Sequence, residues 1–227
     1  MKLSIIIPIF NERATIEILL AQVSKASTPN YTKEIIFVDD GSTDGTSYLF
    51  PKLSQTHNAT LLRHEKNKGK GAAIQTALAR ASGDLILIQD ADLEYDPAEY
   101  SKLLAAYSPQ TPVVYGSRNL EKTNRGYRHY VIGAALLTRF TNLLFGSQLT
   151  DVYTCYKLFP RALINKIPLT QNGFSFEPEI TATFLKYNVP IVEVPISYYP
   201  RSFSAGKKIR FRDALQGAWI ILVCKLK

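Results

Sequence analysis

Two unbroken apolar runs, at residues 35–38 and 85–88, lead almost directly into carboxylates. Asp39 and Asp40 follow the first, and Asp90 and Asp92 follow the second after one glutamine. Four apolar residues without polar alternation fit a strand covered on both faces, as in a parallel sheet flanked by helices. Acids at the carboxyl ends of two such strands lie where open α/β sheets carry their ligands. Alternate residues of an extended chain point to one side, so Asp90 and Asp92 are able to address a single ion. Hard oxygen ligands of this kind suit Mg2+ or Mn2+ rather than zinc. A lone Asp-x-Asp is more often a solvated turn; a second acidic pair in the same setting favours a site.

The first half supports that sheet. Strand patterns fall at 3–9, 35–38, 60–64, 85–89 and 112–116, and helical patterns near 12–27, 45–55, 70–82 and 97–107. The alternation predicts an α/β fold with a doubly wound, mostly parallel sheet flanked by helices. Pro97 sits at a favoured first-turn position, with Asp96 as N-cap. Residues 118–129 are polar, basic and glycine-containing, and read as a loop. No internal repeat or low-complexity segment is visible.

A hydrophobic share of 46% leaves enough apolar surface for a substantial core and excludes a disordered chain. Cys155 and Cys224 have neither metal-ligand nor framework spacing, which points to a reducing, cytoplasmic setting. The N-terminus enters a strand pattern at once, with no secretion signal. Charge is unevenly spread. Of 27 basic and 19 acidic residues, the windows 118–139 and 201–227 hold 12 basic and 2 acidic, so the whole basic excess lies there. Such clustering fits a localised anionic partner. No nucleic-acid recognition motif accompanies it.

Both windows adjoin apolar stretches, at 131–146 and 214–224. A spanning helix needs about 20 apolar residues, and these are shorter; the first also contains Arg139. They read either as helices lying in a membrane interface, with Trp219 as an amphipathic aromatic, or as ordinary helices over the core. The expected organisation is a domain over 1–200 and a basic amphipathic helical extension, membrane-facing, over 201–227.

Five motifs occur in order: Pro8-Ile9-Phe10-Asn11-Glu12, ValAspAspGlySerThrAspGlyThr at 38–46, AsnLysGlyLysGlyAlaAla at 67–73, AspAlaAsp at 90–92 and TyrGlySerArg at 115–118. AspValTyrThrCysTyrLysLeuPhe at 151–159 and PheGluProGluIleThr at 176–181 extend the series. The chain resembles family 2 glycosyltransferases over nearly its whole length, in particular the polyprenyl-phosphate and dolichol-phosphate mannose and glucose synthases. The resemblance implies the GT-A fold and an inverting transfer of a hexose from a nucleotide sugar, UDP- or GDP-linked, to a polyprenyl phosphate at the cytoplasmic membrane face. It implies base contact by Asp39 and a nucleoside crevice formed with Pro8, Phe10, Glu12 and Asp40. It also places Glu94, two residues after Asp92, near the Mg2+ or Mn2+ held by Asp90 and Asp92. Two departures bear on sugar identity: Cys155 stands where many relatives have Gly, and GlyLysLys at 206–208 replaces GlySerLys.

The residues also have chemical readings of their own. The basic, glycine-rich run from Lys68 to Gly71 opens a helix and suits a diphosphate, although it is not a Walker motif. Asp44 fits a helix cap or Asx-turn. A sugar hydroxyl acceptor needs a general base, for which Asp151 is the candidate; a lipid phosphate is already anionic and needs cations. Arg118, Arg125, Arg128, Arg201, Lys207 and Lys208 are the candidates for that phosphate. Transfer to a saccharide hydroxyl of a cell-envelope polymer, or an inactive surface-binding homologue, are the alternatives. His57, His64 and His129 form no ligand set.

Overall fold

The acidic strand ends do meet at one sheet edge. A computed structural model describes residues 1–121, 128–165, 167–201 and 211–226. Its seven strands are β1 (Lys2–Ile9), β2 (Thr32–Asp39), β3 (Thr60–Arg63), β4 (Leu85–Ile88), β5 (Val113–Ser117), β6 (Lys157–Pro160) and β7 (Ile191–Pro195). They form one sheet in the order β3-β2-β1-β4-β6-β5-β7, parallel except for β6, which runs against β4 and β5. Ile9 lies opposite Asp39, and Ile6 opposite Ile88. The carboxyl ends of β1, β2, β4, β5 and β7, and the start of antiparallel β6, therefore share one edge. Residues 35–38 and 85–88 are fully buried, as their apolar runs require.

Among the described residues eight α-helices accompany the sheet: α1 (Ile16–Lys25), α2 (Phe50–His57), α3 (Lys70–Arg80), α4 (Tyr100–Ala106), α5 (Arg128–Phe145), α6 (Arg161–Ile164), α7 (Phe176–Lys186) and α8 (Phe211–Leu226). Three expected helices are adjusted at their starts. The first begins at Ile16 rather than near 12, because Asn11 turns left-handed (φ 56°) and Glu12 N–H is held by Thr46 Oγ1 at 3.0 Å. The second and fourth open with short 3₁₀ turns, Thr46–Leu49 and Pro97–Glu99. Asp96 accepts a hydrogen bond from Ala98 N–H at 2.9 Å, the cap expected before Pro97.

The late apolar stretches are helical: α8 packs on α7 and on α5. Gly217 makes the α8 contact possible, since a Cβ there would lie 1.9 Å from the Tyr153 hydroxyl. Yet α5 leaves Ile132, Leu136 and Leu143 exposed, and α8 leaves Leu215, Trp219 and Leu226 exposed. Both sets fall at i, i+4, i+11, one stripe of a helix. Among the described residues no helix is long and apolar enough to cross a membrane.

Candidate active site

The second acidic strand end is rigid on its buried side. Gln89 is fully buried and accepts hydrogen bonds from the Tyr100 and Tyr156 hydroxyls, both at 2.7 Å, while its amide donates to Asp90 O at 3.0 Å. Leu93 is left-handed (φ 61°), a conformation that costs a leucine about 1–2 kcal/mol. That turn separates the roles of the acids. Asp90 Oδ1 faces the Lys70 ammonium at 2.7 Å. Glu94 instead accepts from the Tyr198 hydroxyl and from Arg201 N–H.

Arg201 lies across the acidic cluster. Its guanidinium reaches Glu12 at 3.1 Å, Asp92 at 3.0 Å and Glu94 at 3.7 Å. Burial, with the Asp90 and Glu94 charges beside it, pushes the Asp92 carboxyl up to about 7 against the pull of Arg201. A cluster that raises a carboxyl this far favours a cation. Among the described residues no three His, Cys, Asp or Glu side chains form a ready-made metal cage. Asp90 and Asp92 nonetheless fit Mg2+ or Mn2+, which use one or two carboxylates and take substrate phosphates and water for the rest. Asp92 and Glu94 are both engaged within the protein, Asp92 by Glu94 N–H at 3.1 Å and by Arg201, Glu94 by the Tyr198 hydroxyl and Arg201 N–H.

The first acidic strand end divides its work. Asp39 is fully buried, accepting from Ser42 N–H at 2.9 Å and the Ser47 hydroxyl at 2.8 Å, with Arg63 at 3.3 Å. Asp40 is a loop anchor: its carboxylate accepts from Lys68 N–H (2.9 Å) and Gly69 N–H (2.8 Å) and meets His64 Nδ1 at 2.6 Å. His64, given no role from sequence, fixes Asp40 and reaches Thr76 Oγ1 at 2.9 Å through its other nitrogen. Pro8 and Phe10 are half-buried at the end of β1, and the Lys68 side chain is exposed.

The glycines at 69 and 71 serve a backbone approach from within the chain. A Cβ on Gly69 would meet Asn172 O at 2.4 Å, and one on Gly71 would meet Gln171 O at 2.1 Å. Ala72 N–H donates to that same Asn172 carbonyl. Three amides of the loop and helix start are thus already satisfied by protein groups. The basic side chain directed toward the acids is Lys70, not Lys68.

Asp151 is buried and held by Arg118 through three hydrogen bonds: from Nε (2.7 Å), Nη2 (2.7 Å) and backbone N–H (3.1 Å). Despite burial, Asp151 holds the Arg118 guanidinium well above its ordinary pKa. Arg118 also lies over the Tyr198 ring, 5.1 Å from its centroid. Tyr198 thereby separates Arg118 from Arg201: its ring is under one and its hydroxyl is on the Glu94 carboxylate that the other meets. Arg125, Lys207, Lys208 and the Arg128 side chain lie outside the described residues.

Residues 4–168 match the model of glycosyl transferase family 2. The chain belongs to that family. Among its relatives are the dolichol-phosphate mannosyltransferase of Pyrococcus furiosus, 30% identical over 91% of this chain and 59% of the relative, and the polyprenol monophosphomannose synthase of Mycolicibacterium smegmatis, 27% identical over 89% and 79%. A low-salt glycan biosynthesis hexosyltransferase of Haloferax volcanii is 30% identical over 90% of this chain and 49% of its own length. The chain thus spans about half to four fifths of these proteins. The family fold is equally plain in solved structures: glucosyl-3-phosphoglycerate synthase of Mycobacterium tuberculosis with UDP superimposes with a TM-score of 0.75 at 21% identity, covering 99% of this chain and 80% of that one. Crystals of that synthase contain UDP with Mg2+ or Mn2+. The sheet described above is the GT-A arrangement that the motifs implied.

Proposed function

We propose that this chain is the catalytic part of a metal-dependent inverting glycosyltransferase that moves a hexose from a UDP- or GDP-sugar to a polyprenyl phosphate. One observation carries the choice of acceptor: Asp151 is already engaged three times by Arg118. Both of its oxygens accept from Arg118, so taking a proton from an acceptor would break that pair. A phosphate needs no deprotonation, so this arrangement suits it better than a sugar hydroxyl. The names of two relatives, which act on dolichol phosphate and polyprenol, favour the same reading.

In this reading Asp39 and Glu12, with Pro8 and Phe10, border the nucleoside, and Asp40 holds the 67–71 loop in place. Asp90 and Asp92 hold the cation. Bound there, Mg2+ or Mn2+ neutralises charge developing on the nucleoside diphosphate leaving group. Arg125, Arg128, Lys207 and Lys208 receive the lipid phosphate, whereas Arg201 belongs with the donor-side acids it contacts. The exposed stripes of α5 and α8 face the lipid, with 201–227 as a membrane-facing segment on the cytoplasmic side.

Product mass after incubation with a panel of nucleotide sugars and polyprenyl phosphate tests the reaction. Arg128→Ala or Lys207→Ala should lower acceptor use about ten- to a hundredfold, the worth of a charge-assisted contact, and leave donor binding by calorimetry nearly unchanged. Asp151→Asn should be the milder change. A crippling Asp151→Asn with unaffected cation variants would assign the acceptor as a hydroxyl instead.

The membrane reading has its own probe in Trp219, the chain's one tryptophan and largely exposed. Its fluorescence should shift to the blue on anionic vesicles, and the protein should leave them as salt screens the attraction. Leu136→Asp together with Leu215→Asp should abolish sedimentation with vesicles. Equal sedimentation of that variant would remove the stripes from the interface.

A further inference from the structure

The PheGluProGlu motif at 176–179 places two buried acids in the first turn of α7, and they do different things. Glu179 closes the preceding loop by accepting from Thr170 N–H and Gln171 N–H, each at 2.9 Å. Glu177 makes no such cap. Its Oε1 lies 2.8 Å from the Lys70 ammonium, which also meets Asp90 Oδ1 at 2.7 Å. Its Oε2 accepts from Lys157. The result is a line of alternating charge, Asp90, Lys70, Glu177, Lys157, running from the sheet edge into the core.

The far end of that line is fixed. Lys157 is fully buried and also donates to Val152 O and Thr154 O, so its ammonium has no freedom to follow a moving partner. Among the described residues Oε1 of Glu177 has no partner besides the Lys70 ammonium, which leaves it committed to that charge contact. Ion pairs this deeply buried add little net stability over apolar packing of equal volume. The notable feature is where the line ends: on Asp90, beside Asp92. A lysine shared between two carboxylates offers each only part of its charge, and losing one partner gives the other the whole.

We propose that Glu177 and Lys70 are positioning residues for Asp90, with Glu177 drawing the Lys70 ammonium away so that the Asp90 carboxylate stays available to a divalent cation. The proposal rests on the reading of Asp90 as a cation ligand. It gives opposite signs to two substitutions. Glu177→Gln hands Lys70 to Asp90, and Mn2+ binding should weaken about tenfold. Lys70→Met removes the competitor, and Mn2+ binding should tighten by a similar factor.

Titration of the full chain with Mn2+, following the free-ion electron paramagnetic resonance signal at fixed pH, reads both without any turnover. Glu177→Gln also strands Lys157, so the double variant Lys157→Met/Glu177→Gln is measured beside it. This pair should regain thermal stability while still binding Mn2+ weakly. Opposite shifts in the two lysine-line variants, with the double variant stable but weak, support the proposal. Changes of one sign that follow the loss of melting temperature, or no change, overturn it. Asp90→Asn is the control for the underlying reading: if that variant binds Mn2+ like the unaltered chain, Asp90 is no ligand and the proposal falls with it.

Discussion

Asp92→Asn should reduce turnover by about a thousandfold or more, the scale of losing an electrostatic group that acts on developing charge. It should do so without unfolding the chain, and should make the metal-free protein slightly more stable. Arg201 keeps Glu12 and Glu94 as partners in that variant, so no charge is stranded. The substitution also removes one of three carboxylates crowded around a single guanidinium. The pH dependence has a definite sign. With its pKa raised to about 7, Asp92 keeps a proton in the folded chain at pH values where the unfolded chain has released it. The folded state therefore binds more protons between the ordinary carboxyl pKa and about 7, and stability on this account falls as pH rises through that window. Metal binding runs the other way, because the ligand must be deprotonated. Mn2+ affinity should rise with pH through 7 in the unaltered chain, and this rise should be absent in Asp92→Asn. A variant with full turnover, or activity persisting in excess EDTA, would remove the cation from the reaction.

The strand ends were readable because the signal is local: four apolar residues and then acids, at β2 and β4. Much of the site's support depends on partners far along the chain. Lys157 reads as a surface charge within a short run, yet it is buried at the start of β6, where the acid that neutralises it comes from α7. β6 is as short as β4, but a lysine opens it and a proline closes it, so only two apolar residues stand between them and no run marks it. β7 carries Pro190 before it and Pro195 at its end, residues that argue against a strand; it pairs only with β5 and is an edge, where proline is tolerated. The glycines at 69 and 71 suggested phosphate approach by composition alone. What they accommodate is a backbone segment about a hundred residues later, a relation no local pattern contains. Arg201 opens a basic segment and so read as an acceptor residue. Its contacts with Glu12, Asp92 and Glu94 arise from the sheet order, which brings the chain after β7 to the same edge as β1 and β4.

Arg118→Met should carry a large cost in stability. Asp151 is buried almost completely, and two of its three hydrogen bonds from Arg118 come from the guanidinium. Removing one partner of such a pair leaves a buried charge without compensation, at a cost of about 3–5 kcal/mol. For a chain of this length that corresponds to a fall in melting temperature of roughly 10 °C. Asp151 N–H and Thr150 N–H are held by Glu193, whose own carboxyl is pushed up by burial. That neighbour is a second acid, so it offers no compensation for the lost guanidinium. Replacing both members, Arg118→Met with Asp151→Leu, removes the stranded charge and should recover most of the stability. Chemical denaturation of the two single variants and the double variant measures the coupling. A cost below about 1 kcal/mol for Arg118→Met would mean that the pair behaves as a solvated surface bridge. Asp151 would then be free enough to serve as a base, and the preference for an acceptor that arrives already ionised would lose its main support.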